Sequence, residues 1–218
     1  PCQSSAASDV YKRQGKNNYA MDIGAMIGHG PIRSYVMGMD RCQGKEEASD
    51  SEIEEMARIT KEAIEAGALG FSTSRTYLHR DKFGEYVPGT EATAKEMRTI
   101  ANTIADLGKG TLEIVSDWMD QDIELDWVKE FVEKSDRTLT YAQTGGNPVE
   151  TWKYCEENFP KGVKIRPQFP GRPTGMLFSL ESTVHPFIAH PSYAEIADKS
   201  LDEKVASCLL YTSDAADD

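Results

Sequence analysis

Short apolar segments alternate with longer amphipathic segments along the chain. Five apolar segments have the length of buried strands, and they cover residues 21–27, 69–73, 111–115, 139–143 and 163–169. Apolar residues spaced three or four apart predict helices over residues 50–66, 94–107, 125–133, 148–155 and 192–206. No connection between these segments has the pattern of a β-hairpin turn. The sequence therefore predicts five strand–helix units in succession.

Capping residues support the ends of two of these helices. Ser49 and Thr93 each stand three residues before a glutamate, which is the spacing of a capping box at a helix start. Gly67 and Gly108 follow the last periodic residue of the same two segments, where a helix commonly ends. Both helices are thus predicted from their ends as well as from their periodicity.

Strict alternation of strand and helix predicts an α/β fold with a parallel sheet. Two architectures fit this order: part of a (β/α)8 barrel of the TIM type, and an open doubly wound sheet. Polar loops follow several strands, at residues 28–30, 72–76, 116–117, 143–147 and 168–172. In a barrel every strand end faces the active site, whereas an open sheet gathers its chemistry at one switch point. The distribution of polar loops favours the barrel.

The loop after the first strand supplies the first candidate site residues. His29 lies between two glycines, where a sharp turn would leave its imidazole exposed at the carboxyl edge of the sheet. We predict a catalytic role for His29, with a hydrogen bond to a neighbouring loop as the alternative. Arg33 follows and could bind a substrate carboxylate through two parallel hydrogen bonds. A salt bridge to one of the many acidic residues is the alternative for Arg33.

Three later strand ends supply further candidates for substrate binding. Ser72 and Ser74 should share one face of the second strand, because strand residues alternate faces, and Arg75 follows them. Neither serine lies in a nucleophile-elbow pattern, so we expect binding rather than covalent catalysis. Asp117 and Gln143 end the next two strands and are predicted to shape the same site.

The other histidines carry weaker signals. His79 lies in a long loop over residues 77–90, a length typical of a lid or of a disordered excursion. His185 and His190 each precede a proline, which is typical of turns and helix starts. No histidine pair has the spacing of a zinc hydrolase motif. Residue patterns alone therefore predict part of an α/β barrel that belongs to an enzyme, without assigning its reaction.

Composition excludes several classes of protein. The 218 residues carry a net charge of −12, and 39% are apolar, so the chain should fold but should not bind nucleic acid or anionic membranes. No apolar run approaches the ~20 residues that span a bilayer. Cys42 and Cys155 stand far apart, which argues against a disulfide scaffold and favours a reducing compartment, the cytoplasm.

The two ends of the chain have an unusual relationship. Residues 4–14 can be back-translated into the DNA of a transposon adapter used for sequencing libraries, and residues 208–218 match the reverse complement of that DNA. We therefore expect residues 1–14 and 208–218 to be adapter-derived. Residues 15–207 are then expected to be an internal piece of one barrel domain, inactive by itself.

Several segments resemble the N-acyl-D-amino-acid deacylases (D-aminoacylases) of the amidohydrolase superfamily. Residues 22–33 (DIGAMIGHGPIR), followed by VMG at 36–38, resemble their N-V-x-x-x-V-G-H-x-x-L-R and V-M-G segment. Residues 65–74 (EAGALGFSTS) resemble their E-A-G-A-L-G-F-S-T-G strand. Residues 172–175, 185–187 and 190–193 are similar to one subgroup. The resemblance covers nearly all of residues 15–207.

This resemblance implies a distorted (β/α)8 barrel that binds one or two divalent metal ions, usually zinc. It implies that a metal-activated water cleaves the amide bond of a small-molecule substrate, and that an aspartate after the last strand carries the proton to the amine. Most metal ligands would lie outside this chain. A homo-oligomer is compatible with the sequence, and a catalytically degenerate barrel that binds small acylated ligands is the alternative.

Two strands depart from the family pattern. Family members have a His-x-Arg motif on the strand matching residues 111–115 and a Ser-His pair on the strand matching residues 139–143, and these histidines bind metal. This chain has no histidine in either strand. Glu113, Asp117 and Gln143 are the oxygen-containing residues that could replace them.

Overall fold

The computed structural model describes residues 20–43, 46–117, 121–143, 148–159, 162–171, 175, 177–182, 185–188 and 190–214. The chain divides into two compact units. The larger contains residues 1–81 and 85–172, and the smaller contains residues 82–84 and 173–218. Most of the loop predicted at 143–147, and residues 172–174 of the family resemblance, lie outside the described residues.

The larger unit is a parallel sheet whose strands are connected by helices. Its strands are β1 (Ile27–Gly28), β2 (Gly70–Arg75), β3 (Thr111–Ser116), β4 (Leu139–Ala142) and β5 (Ile165–Gln168). Its helices are α1 (His29–Met37), α2 (Asp50–Glu65), α3 (Ala94–Leu107), α4 (Gln121–Lys134) and α5 (Pro148–Asn158). The strands lie side by side in chain order and every pair is parallel.

This strand order distinguishes the two predicted architectures. In a doubly wound sheet the spatial order of successive strands reverses at the switch point. Successive strands of a (β/α)8 barrel instead always lie side by side. The described sheet has no such reversal. The structure therefore confirms an α/β fold of the partial TIM-barrel type.

One face of the sheet packs against the helices. Phe71, Leu112, Ile114 and Leu139 are at most 1% exposed and belong to one apolar core. Helices α2, α3 and α4 complete that core with Met56, Met97, Ile100, Ile104, Val128, Phe131 and Val132. The predicted apolar faces of these helices are therefore confirmed. Burial of these side chains stabilises the packing of the helices on the sheet.

The alternate residues of the strands lie on the opposite face, which we call the polar face. Its first row consists of residues that are neighbours in the strand register, namely Ser72, Glu113, Thr140 and Arg166. Because register partners in a parallel sheet point to the same side, these four side chains form a polar line across four strands. The functional interest of the unit lies on this face.

The first strand is much shorter than the sequence predicts. The alternation from Met21 to Ile27 predicts a strand, but only Ile27–Gly28 pairs with β2 as a strand, and Met21 is 75% exposed. The predicted tight loop at 28–30 is also wrong, because α1 begins at His29 with Gly28 as its N-cap. The chain thus turns from strand to helix without a loop.

The observed helix caps differ from the predicted ones in one respect. Ser49 and Glu52 form a complete capping box at the start of α2. At the start of α3, Thr93 accepts a hydrogen bond from the backbone N–H of Glu96, as predicted, but the Glu96 carboxylate bonds elsewhere. Gly108 ends α3 with a left-handed conformation (φ 60°).

The described residues of the smaller unit form two helices instead of the single one predicted over 192–206. They are α6 (Pro191–Ala194) and α7 (Leu201–Asp214). Pro191 occupies the first turn of α6, and the His190 side chain accepts a hydrogen bond at its N-terminus. The described part of the chain contains no helix long and apolar enough to cross a membrane.

Candidate active site

Two oxygen-bearing side chains in the polar row lack protein partners. The Thr140 hydroxyl is buried, with the residue 8% exposed, and it has no hydrogen-bond partner among the described residues. Glu113 beside it is half-buried, and its carboxylate makes no hydrogen bond or ion pair with the described part of the chain. An unpartnered buried hydroxyl costs about 1–3 kcal/mol unless a ligand or water satisfies it. The row therefore has the chemistry of a binding surface.

Ser72 and Ser74 both point to the polar face, as the alternation rule predicts. Ser72 lies in the row beside Glu113, and Ser74 lies one pleat closer to the carboxyl end of β2. The Ser74 hydroxyl is 2.6 Å from Nδ1 of His79. The sequence did not single out this pair, because His79 lies in a loop whose course the pattern leaves open.

Asp117 shapes this region by holding the backbone after β2. Its carboxylate accepts hydrogen bonds from the Thr76 hydroxyl (2.6 Å) and from the Tyr77 backbone N–H (2.8 Å). Gln143, which follows β4, donates its backbone N–H to Gln168 of β5. Both residues lie at the carboxyl edge of the sheet, where the sequence placed them, and their predicted substrate contacts stay predictions.

His29 lies on the other side of the sheet, against the helices. It is 1% exposed, and its two ring nitrogens bond to Thr73 (2.9 Å) and to Glu96 (2.7 Å). Its ring also packs near Phe71, with ring centroids 5.4 Å apart. The expected exposure of His29 is therefore wrong, because α1 begins at this residue and folds it inward. Its catalytic role stays a prediction, and its geometry fits the structural alternative.

Arg33 shares the buried carboxylate with His29. One Nη donates to Glu96, Nε donates to the Cys42 carbonyl (3.2 Å), and the other Nη donates to the Glu46 carbonyl. The guanidinium is 2% exposed and all three nitrogens have partners. The salt-bridge alternative for Arg33 is what the structure shows. We name Glu96, Arg33 and His29 the buried triad.

The protonation states of the buried triad follow from burial and charge. Burial lowers the pKa of His29, so the imidazole is neutral, donates Nε2–H to Glu96 and accepts the Thr73 hydroxyl at Nδ1. Burial by itself would raise the pKa of Glu96, but hydrogen bonds and charge from His29 and Arg33 lower it on balance. The triad thus contains one carboxylate balanced by one guanidinium.

This arrangement predicts that acid destabilises the fold. Below about pH 6.5 the unfolded chain protonates His29, whereas the folded chain keeps it neutral, so the free energy of unfolding falls by up to about 1.4 kcal/mol per pH unit. The depressed pKa of Glu96 continues the loss below about pH 4.3. Urea unfolding followed by circular dichroism between about pH 5 and about pH 7 measures this slope.

A matched pair of variants assigns the slope to His29. His29→Gln should flatten the pH dependence, and His190→Gln, at an exposed position, is the control for the loss of an imidazole. An unfolding free energy that stays constant from about pH 7 to about pH 5 in the unaltered chain would contradict the neutral state of His29.

Arg75 also lies on the helix-facing side of the sheet. It forms an ion pair with Glu124 of α4 at 2.5 Å, and it donates to the carbonyls of Gly89 and Ala92. Both partners of the ion pair have side chains only 8% exposed. Arg75 therefore joins β2 to α4 and to the segment before α3, and its predicted substrate contact stays a prediction.

Three quarters of this chain is similar in structure to D-aminoacylase. One D-aminoacylase structure, which concerns the binuclear metal centre of that enzyme, matches 75% of this chain with a TM-score of 0.58 and 20% sequence identity. Another, described as defining a subset of amidohydrolases, matches with a TM-score of 0.57 and 19% identity. This chain has the fold of part of D-aminoacylase. At this level of identity the likeness establishes the fold alone.

Sequence comparisons are less informative. No protein-family model matches the chain. Uncharacterized proteins of Mycobacterium bovis and Mycobacterium tuberculosis are 29% identical over 93 residues, which is 40% of this chain and 15% of each relative. The chain also spans only 33% of the D-aminoacylase chains.

D-aminoacylase has a binuclear metal centre, and the described residues of this chain do not form one. They contain no group of three His, Cys, Asp or Glu side chains that could hold an ion. Glu113 lies on β3 and Asp117 directly follows it, but Asp117 is engaged by Thr76 and Tyr77. The described residues therefore do not fit a metal centre by themselves.

Proposed function

We propose that this chain is part of a hydrolase that cleaves amide bonds, and that its substrates are N-acyl-D-amino acids. The observation that carries the proposal is the polar row of Ser72, Glu113, Thr140 and Arg166 in a D-aminoacylase fold. The row lies in the middle of the strands, one pleat before the carboxyl edge at which this fold presents its catalytic and binding residues. The hydroxyl, carboxylate and guanidinium groups of the row suit a small molecule with an amide and a carboxylate.

The polar row offers complementary groups to such a substrate. Arg166 is exposed, and its guanidinium can bind the substrate carboxylate through two hydrogen bonds. The unpartnered Thr140 hydroxyl can donate to the amide carbonyl oxygen, and Glu113 can accept from the amide N–H. These contacts would orient the scissile bond across β3, β4 and β5.

The divalent ion and the remaining properties of the enzyme are also part of the proposal. Zinc would be bound mainly by ligands beyond the described residues. A net charge of −12 supports a small-molecule substrate over nucleic acid. We propose a cytoplasmic, membrane-free protein that can form a homo-oligomer.

A second candidate is a degenerate barrel that binds small acylated ligands without hydrolysing them. The lack of histidine in residues 111–115 and 139–143, where the family that the chain resembles has metal-binding histidines, supports it. It retains the same polar row and the same contacts. The two candidates differ in whether the amide bond is broken.

Amine release distinguishes them. The full-length protein that contains this chain is incubated with N-acetyl-D-leucine or its L enantiomer, with added zinc or with a chelator, and the free amine is measured by fluorescent labelling. We expect zinc-dependent release from the D enantiomer, reduced about 10-fold in Thr140→Val because one hydrogen bond is lost. Thr103→Val, on the surface of α3, is the control and should keep the full rate.

Calorimetric titration with the same compounds completes the test. Binding of N-acetyl-D-leucine without amine release, weakened in Thr140→Val, would favour the ligand-binding candidate. Neither binding nor release would contradict both candidates.

A further inference from the structure

A second row of side chains follows the polar row toward the carboxyl ends of the strands. In the strand register Ser74 pairs with Val115, and Ala142 pairs with Gln168. Continuing the register of β3 and β4 by one residue places Val115 beside Ala142. Each of these four residues comes two positions after a member of the polar row, so its side chain points to the same face of the sheet. We call them the edge row.

The middle of the edge row is apolar, in contrast to the middle of the polar row. Val115 and Ala142 come two residues after Glu113 and Thr140 on the same strands. Both apolar side chains are half-buried, and neither belongs to the apolar core between the sheet and the helices. They therefore form a small separate apolar surface beside Glu113 and Thr140, which we call the apolar floor.

Polar residues limit the apolar floor on three sides. Ser74 lies on its β2 side, and Gln168 lies on its β5 side. Two residues beyond Val115, the Asp117 carboxylate accepts a hydrogen bond from the Thr76 hydroxyl at 2.6 Å. Neighbouring strands are about 4.8 Å apart, so a floor that is two strands wide accommodates one narrow alkyl chain.

The proposed contacts of the substrate amide determine which group lies over this floor. The amide oxygen would be bound at Thr140 of β4 and the amide N–H at Glu113 of β3, so the C=O and N–H bonds run across the strands. The two substituents of a planar trans amide lie roughly perpendicular to these bonds, and they therefore run along the strands. One substituent carries the carboxylate, which Arg166 holds at the level of the polar row. The acyl chain is the substituent that extends toward the carboxyl edge.

We propose that Val115 and Ala142 form an acyl-binding subsite that selects amides of short, unbranched fatty acids. This inference rests on the proposed function and adds to it the class of the acyl group. It concerns binding alone, and these two side chains take no part in breaking the amide bond. Complete burial of one methylene group against apolar atoms strengthens binding about 4-fold, and a floor on one side of the chain supplies part of that gain.

A series of acyl groups on one amino acid tests the subsite. The full-length protein that contains this chain is given N-formyl-, N-acetyl- and N-butyryl-D-leucine. The amine-release assay with zinc gives kcat/KM, and calorimetric titration with a chelator gives Kd. We expect both quantities to improve along the series, with N-butyryl favoured over N-acetyl by about 5-fold because two more methylene groups contact the floor.

Two substitutions change the floor in different ways. Val115→Thr keeps the shape of the side chain but adds a hydroxyl, so the preference for N-butyryl over N-acetyl should fall to about 1-fold. Ala142→Leu fills the space above the floor, so the preference should reverse in favour of N-acetyl. Val205→Thr, at an exposed position of α7, is the matched control and should keep the original preference. The ratio of two ligands on one protein sample does not depend on how much of a variant is folded.

The side chain of the amino acid provides a second comparison. The preference for N-acetyl-D-leucine over N-acetyl-D-alanine should be the same in Val115→Thr as in the unaltered protein, because the amino-acid side chain lies at the other end of the amide. A change in this preference without a change in the acyl preference would overturn the assignment of the floor to the acyl group.

The acyl subsite and the proposed hydrolysis can fail separately. Amine release with an acyl preference that neither Val115→Thr nor Ala142→Leu alters would overturn the acyl subsite and leave the hydrolysis intact. Binding that follows the acyl series without amine release would support the subsite and contradict the hydrolysis. Neither binding nor release would contradict the proposed function and overturn the acyl subsite with it.

Discussion

Replacing Glu96 with alanine is expected to lower the free energy of unfolding by about 3–5 kcal/mol. The carboxylate is fully buried and receives hydrogen bonds from both His29 and Arg33. Its removal leaves the guanidinium of Arg33, which is 2% exposed, without a counter-charge. The cost comes mainly from that unpaired buried charge and not from the loss of one contact.

Urea unfolding monitored by circular dichroism measures this loss. Glu54→Ala is the matched control, because it also removes a glutamate from a helix of the same layer, but from an exposed position. The control should change the free energy of unfolding by at most about 0.5 kcal/mol. Equal effects of the two substitutions would show that the buried triad does not stabilise the fold.

Replacing both charged members with apolar residues should recover stability. In the double variant Glu96→Leu with Arg33→Met, no buried charge remains unpaired, so the loss should be clearly smaller than in Glu96→Ala. A double variant as unstable as Glu96→Ala would indicate that hydrogen bonds to Glu46 and Cys42 carry the effect instead.

The fold could be predicted from the sequence because its signals are local and repeated. Periodic apolar residues in α2 and α3 mark the faces that the structure buries, and Ser49 and Gly108 mark helix ends that it confirms. Parallel pairing then follows from the alternation of strand and helix. The first strand was predicted too long because exposed Met21 fits the alternation as well as buried Ile27 does.

The site was less predictable because its residues meet across long sequence separations. Glu96 has the spacing of a capping box with Thr93, and nothing local shows that its carboxylate meets His29, which lies 67 residues earlier. The buried guanidinium of Arg33 requires a counter-charge, and the carboxylate of Glu96 supplies it. Ser74 was predicted from strand alternation, whereas His79 needed the course of a loop that only the structure gives.

Alanine at Gly70 is expected to be about as damaging as the loss of Glu96, at about 3 kcal/mol, although it adds only one methyl group. A Cβ at Gly70 would lie 2.0 Å from the carbonyl oxygen and 2.5 Å from the nitrogen of Thr111, its register partner on β3. Backbone cannot yield as a flexible side chain does, so the first pair of the β2–β3 ladder must separate. That ladder carries Ser72 and Ser74, and its distortion should also disturb the Ser74–His79 pair.

Gly67→Ala is the control that isolates this close approach. Gly67 ends the α2 region with φ 110°, and a Cβ there would meet nothing within 4 Å. Its substitution should cost about 1–2 kcal/mol of backbone strain alone. Thermal or urea unfolding of both variants gives the difference in the free energy of unfolding. In nitrogen NMR of the 15N-histidine-labelled chain, the His79 resonances should change only in Gly70→Ala. If Gly67→Ala proves as destabilising as Gly70→Ala, backbone strain, and not the close approach to Thr111, determines the need for glycine at the start of β2.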